Sequence, residues 1–114
     1  MVDRPADGGG RGLGFNGGQL LHLAVAGCVS NDLFREALAV GIHLEKVRIS
    51  VRGGFAGDPA VSNEITHDVE LTGDAPESAS RELVERADTI AEIPNSLRRG
   101  TSVRLGNLIA DTTR

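Results

Sequence analysis

From Gly18 to Val40 the chain runs without a proline through residues of good helix propensity, and Gly41 follows as a stop. One long helix is implied, and its composition sets what the rest must do. Leu20 to Val29 is apolar nearly all round, which calls for burial on several sides. Asn31 to Val40 is amphipathic, setting Leu33, Phe34, Ala37 and Leu38 against Asp32, Arg35 and Glu36. Such a helix belongs in the middle of a domain, with other elements packed around it.

Those elements follow from periodicity. Residues 42–52 alternate, with Ile42, Leu44, Val47, Ile49 and Val51 on one face and a slip near Glu45-Lys46, as in a half-buried strand. Gly53-Gly54 and Gly57-Asp58-Pro59 give a turn. Ile65, His67, Val69 and Leu71 then alternate with Thr66, Asp68 and Glu70 and complete a hairpin. Asp74, ahead of Pro76 and Glu77, reads as the N-cap of a second helix, whose apolar face is Leu83, Val84, Ala87, Ile90 and Ala91 and whose end lies near Pro94. Asn95 to Arg99 suggests one further turn closed by Gly100, and Val103, Leu105 and Leu108 suggest a last strand. The expected class is α+β, an antiparallel sheet carrying two main helices. Residues 1–17, rich in glycine, form an irregular or mobile arm, and residues 18–114 form the domain.

Composition narrows function mainly by exclusion. At 114 residues there is one domain, and with three phenylalanines and neither Trp nor Tyr the core must come from Leu, Val, Ile and Ala. That favours completing the core by pairing with a second copy. A formal charge of −4, with scattered basic residues, argues against nucleic acid. The longest apolar run is about ten residues, against roughly 20 for a bilayer span, so no membrane segment is expected. The N-terminus lacks signal-peptide order and one cysteine forms no internal disulfide, which points to the cytoplasm.

Three features carry candidate chemistry. Gly12-Leu13-Gly14-Phe15-Asn16-Gly17 has the G-x-G-x-x-G spacing ahead of a helix, but no buried strand precedes it, and a segment this rich in glycine produces such a match easily. His22, His43 and His67 lack metal-ligand spacing, and no metal or other cofactor is called for. Cys28, the only thiol, lies where the apolar face of the helix turns polar. At about 100° per residue, Leu21, Ala24, Val25, Asn31, Asp32 and Arg35 surround it, while His22 points away. Arg35 would favour a thiolate and Asp32 would oppose it. Cys28 is thus either a small core residue or the one reactive group of the protein.

Three segments in order, Asn16-Gly17-Gly18-Gln19-Leu20-Leu21 running into Ala26-Gly27-Cys28, then Gly41 to Val47, then Ile93-Pro94-Asn95-Ser96-Leu97-Arg98-Arg99-Gly100, resemble the OsmC/Ohr family. The resemblance implies an intertwined homodimer with the thiol near the interface, and a thiol that reduces organic hydroperoxides or hydrogen peroxide. It places the peroxidatic cysteine on Cys28. It also places Ala91 where a resolving cysteine would stand and Gly18 where a glutamate would stand. The family arginine belongs to strands ahead of this chain, which looks short at its N-terminus; Arg4, Arg11 or Arg35 is the candidate replacement. Two expectations follow: a single-cysteine peroxide reductase of the stress response, recycled by an external thiol, or a non-catalytic dimer that binds a small apolar ligand or a partner. A nucleotide site on the glycine-rich arm is a third, weaker reading.

Overall fold

The computed structural model describes residues 1–112. Its elements are α1 (Gly17–Val40), β1 (Leu44–Arg52), β2 (Phe55–Ala56), β3 (Val61–Ser62), β4 (Thr66–Gly73), α2 (Glu77–Ile90) and α3 (Glu92–Arg98). The class is α+β, as the sequence pattern required. Helix α1 begins in a capping box: the Asn16 side chain accepts from Gln19 N, and Gln19 Oε1 accepts from Asn16 N. It ends at Gly41, whose positive φ of 75° suits a residue without Cβ. Asn16→Ala is expected to cost about 1 kcal/mol, measurable as a lower urea midpoint.

Strands β1 and β4 pair antiparallel from Leu44↔Gly73 to Arg52↔Thr66, with the register shifting between Leu44 and Lys46. That bulge is the slip seen in the alternation, and beyond it Val47, Ile49 and Val51 share one face. At the far end of this ladder a second, two-residue pairing, Phe55↔Ser62 and Ala56↔Val61, closes the long hairpin. The inner face of β1 and β4 covers a core of Val29, Leu33 and Ala37 from α1 with Leu83, Ala87 and Ala91, all buried. Alanines at 37, 87 and 91 bring the helices close, and Val47, Ile49, Val69 and Leu71 pack on from the sheet.

Several expectations are corrected. Asp74 is not the N-cap of α2: Pro76 takes that position without a side-chain hydrogen bond, and Asp74 Oδ1 instead accepts from His43 N at 2.8 Å, tying the α1–β1 connection to the end of β4. The second helix ends at Ile90, ahead of Pro94. Ala91 breaks α2 with extended backbone, and Pro94 lies in the first turn of α3, where no amide donor is needed. The last strand is absent: residues 101–112 are irregular, and Val103, Leu105 and Leu108 are 92%, 83% and 78% exposed. A strand needs a ladder partner, and among the described residues none pairs with this segment. The resulting radius of gyration, 18.4 Å, exceeds the roughly 13 Å of a compact domain of this length.

The first half of α1 is also less buried than its composition demands. Val25 and Val29 are covered, but Leu23 is half exposed, and Ala24 and Gly27 are exposed. Apart from a short 3-10 helix at Ala6–Gly8, arm residues 1–16 are irregular yet tied down. Val2 bridges Phe15, Asp3 N donates to Phe15 O, and the Asp3 carboxylate accepts from the backbone N–H groups of Leu13, Arg11 and Arg4. The Leu13 amide foremost holds the Asp3 carboxyl below its usual range.

On the opposite side an ion-pair network joins α1 to α2. Glu36 pairs with Arg86, and Arg35 lies 3.7 Å from Glu36. The Arg86 hydrogen bond is the main cause that lowers the Glu36 carboxyl below its ordinary 4.5; desolvation opposes it, and the charges of Arg86 and Arg35 add to the lowering. A depressed folded-state pKa stabilises above the unfolded value, and this contribution is lost as pH falls through the folded value. Acid unfolding is therefore expected to steepen below about pH 4.5, and Glu36→Gln should flatten that part of the stability profile.

Candidate functional site around Cys28

Cys28 sits on α1 between buried Val25 and Val29 on one side and exposed Gly27 and Asn31 on the other. The thiol is partly exposed and packs against the Val29–Leu33–Ala91 core, so one wall of its surroundings is apolar and the other opens outward. Helix geometry had placed it at such a boundary. Ala91, which stands where the resemblance puts a resolving cysteine, is fully buried in that same core. A methyl group there packs and offers no second sulfur.

Gly18 stands where the resemblance puts a glutamate, and Phe55 lies against it. A Cβ on Gly18 would come within 2.7 Å of Cε2 of Phe55, so a carboxylate side chain requires the ring to move. Phe55 in turn stacks on His22, with ring centroids 6.2 Å apart and an interplanar angle of 26°. His22 Nε2 is buried without a hydrogen-bond partner, against Gly53. An aromatic pair thus fills space on this flank. In the sequence Phe55 stood only as a residue of the turn between Gly53-Gly54 and Gly57.

Of the candidate arginines, Arg35 is paired with a carboxylate. Arg35 Nη2 contacts Asp32 Oδ1 at 2.9 Å, so its charge is directed at a carboxylate. Asp32 itself is buried, 6% exposed, and its Oδ2 has no partner. The Arg4 guanidinium lies over Gly9 within the arm, and Arg11 contributes its backbone amide to Asp3. The arm also answers the G-x-G-x-x-G match. Gly12 N donates to Arg4 O, Leu13 N to Asp3, and Phe15 N to Met1 O, while a Cβ on Gly14 would meet Met1 O at 2.1 Å. The amides of Gly12, Leu13 and Phe15 are thus spent on the chain's own carbonyls and on Asp3.

Of the histidines, His43 lies in the α1–β1 connection, whereas half-buried His67 faces Asp88 with Nε2 3.1 Å from Oδ1. Arg98 Nη2 reaches the same oxygen at 2.6 Å. Sequence reasoning missed this cluster, because β4, α2 and α3 contribute one member each. Among the described residues no group of three or more His, Cys, Asp or Glu side chains could hold a metal ion, and no helix is long and apolar enough to cross a membrane.

Solved structures with the same fold include an OsmC-like protein from Mycoplasma pneumoniae, 22% identical with a TM-score of 0.75 over 88% of this chain and 72% of that one. An organic hydroperoxide resistance protein from Legionella pneumophila is also 22% identical, with a TM-score of 0.60 over 84% and 71% of the two chains. An OsmC-like hydroperoxide resistance protein from Jannaschia is 19% identical with a TM-score of 0.63, over 78% of this chain and 63% of that one. No curated protein sequence matches significantly. The family model described as OsmC-like protein matches residues 8–106, a span that takes in α1 with its thiol, both hairpins, α2 and α3, and the chain belongs to that family.

Proposed function

We propose that the protein is a thiol-dependent peroxide reductase acting through Cys28 as a homodimer, in the stress response of a reducing, cytoplasmic compartment. The observation that carries this reading is the place of Cys28, a partly exposed residue against an apolar wall; the family resemblance puts the peroxidatic cysteine there. Hydroperoxide resistance is named for the Legionella and Jannaschia proteins of the same fold. In the reaction the Cys28 thiolate attacks the terminal peroxide oxygen, the O–O bond breaks, and the alkoxide leaves and takes a proton. Cys28 becomes a sulfenic acid. With Ala91 in place of a second sulfur, an external thiol condenses with it, releasing water. A second equivalent of that thiol then frees Cys28 and departs as the disulfide.

The dimer is argued from an unpartnered seam. Leu20, Ala24, Gly27, Asn31, Phe34 and Leu38 follow one another at alternating spacings of four and three, as a coiled-coil stripe does. Phe34 is 51% and Leu38 83% exposed, and a Cβ on Gly27 would meet open space. A second copy packed there would bury the side of α1 that this chain leaves bare, with Cys28 beside the contact. The irregular segment from Val103 to Ile109 supplies further uncovered apolar surface.

The deciding experiment is intact mass after one equivalent of an alkyl hydroperoxide at neutral pH. The expected result is gain of one oxygen atom, reversed by excess small-molecule thiol and absent in Cys28→Ser. An unchanged mass, with no turnover when reductant is supplied, would leave Cys28 as packing.

A further inference from the structure

Asp32 carries a polar atom that the folded chain leaves unsatisfied. The residue is 6% exposed, Arg35 Nη2 takes its Oδ1 at 2.9 Å, and its Oδ2 is buried without a hydrogen-bond partner. A buried acceptor of this kind costs free energy until something donates to it. The atom is closed to solvent, so a donor has to come from a neighbouring side chain.

Cys28 stands one helical turn before Asp32 in α1. The two residues lie about 40° apart around the helix axis, and at that spacing their Cβ atoms are about 5–6 Å from each other. Cys28 packs on the Val29–Leu33–Ala91 core, and its thiol makes no hydrogen bond to Oδ2. One added oxygen changes this. It lengthens the Cys28 side chain by an atom and ends it in an O–H, a far better donor than S–H.

The surrounding charges leave Oδ2 as an acceptor without leaving a net charge beside the sulfur. Arg35 balances the Asp32 carboxylate, and Glu36, on the next turn, is paired with Arg86. The influence of Asp32 on Cys28 is therefore directional, through a hydrogen bond, rather than a general repulsion of the thiolate.

We propose that Asp32 Oδ2 accepts the O–H of the Cys28 sulfenic acid and so protects that form from a second peroxide. The inference rests on the reading of Cys28 as a peroxide-reducing thiol. Over-oxidation runs through the sulfenate anion: its sulfur attacks the terminal oxygen of a second hydroperoxide, and the O–O bond breaks. The alkoxide leaves and takes the proton of the attacked O–H, and a sulfinate results. A hydrogen bond to the protonated sulfenic acid favours it over the sulfenate and slows that attack. With alanine at position 91, the sulfenic acid has to last until an external thiol arrives.

Intact mass of the full chain, followed in one equivalent and then in a large excess of tert-butyl hydroperoxide without thiol, tests this. At one equivalent the parent and Asp32→Leu should each gain one oxygen. In excess, Asp32→Leu should pass to the two-oxygen form about 10-fold faster than the parent, and Asp32→Asn about 3-fold faster, because its carbonyl still accepts. Leu33→Ala loosens the same core but keeps the acceptor, and should over-oxidise at the parent's rate. If Asp32→Leu does not fold, Asp32→Asn carries the test alone. Over-oxidation no faster in the folded Asp32 variants than in the parent, or as fast in Leu33→Ala as in those variants, would overturn the role of Asp32 and leave the reading of Cys28 standing. A parent that gains no oxygen at one equivalent overturns both.

Discussion

Leu33→Ala is expected to destabilise the folded chain by about 3 kcal/mol, within the ~2–5 range for truncating a buried leucine. Leu33 is fully buried, at the centre of the cluster where α1 meets α2 and the sheet. Its facing residues include Ala37, Ala87 and Ala91, whose methyl groups are too short to move into the space left behind. The cavity therefore persists, and its cost adds to the lost transfer energy. Against a total stability on the order of 5–15 kcal/mol, the loss is large. Urea denaturation should show a lower midpoint at unchanged slope. The comparison with Leu38→Ala is informative, because Leu38 is on the same helix but 83% exposed. The cost at Leu33 should be constant with protein concentration. At Leu38 it should be near zero in dilute solution and grow as a dimer forms; a concentration-independent zero would count against the α1 seam as an interface.

Arg35→Ala is expected to cost about 2 kcal/mol, a large effect for a residue whose own side chain is 62% exposed. The reason lies in Asp32. Its side chain is 9% exposed, Arg35 reaches one oxygen at 2.9 Å, and the other oxygen has no partner. Removing the guanidinium leaves a buried carboxylate with neither counter-charge nor hydrogen bond, and that residual group carries the penalty. Exposure of Arg35 to solvent keeps the effect below that of a fully enclosed pair. Adding Asp32→Asn to Arg35→Ala should recover more than half of the loss, because an amide has no charge to bury. A double-mutant cycle in urea measures this, and a cost below ~0.5 kcal/mol for Arg35→Ala would mean that water already reaches Asp32.

Periodicity exposed the elements that bury one face within this chain. Helix α1 was legible from its capping residues and from Gly41, β1 from alternation that shows even its bulge, and α2 from Leu83, Ala87 and Ala91. Misreadings occurred where a local signal competed with a distant partner. Asp74 has the composition of an N-cap, but its carboxylate is claimed by His43 N, thirty-one residues back along the chain. Val103 and Leu105 have the alternation of a strand, but alternation supplies no partner for the ladder. The short β2–β3 pairing was missed because two residues carry no period.

At the candidate site, the sequence by itself determined which atoms are available: one thiol, with alanine and glycine at the positions where the family resemblance puts a second sulfur and a glutamate. It also determined that the thiol lies at the boundary between the two faces of α1, since angular position on a helix depends only on spacing. Tertiary structure alone decided what surrounds those atoms. It closed the space beside Gly18 with Phe55, turned Arg35 toward Asp32, spent the arm's amides on Asp3 and nearby carbonyls, and gathered His67, Asp88 and Arg98 from three elements. Contacts of that kind join residues far apart in the chain, and their distances follow from how the helices and sheet pack, which no local spacing encodes.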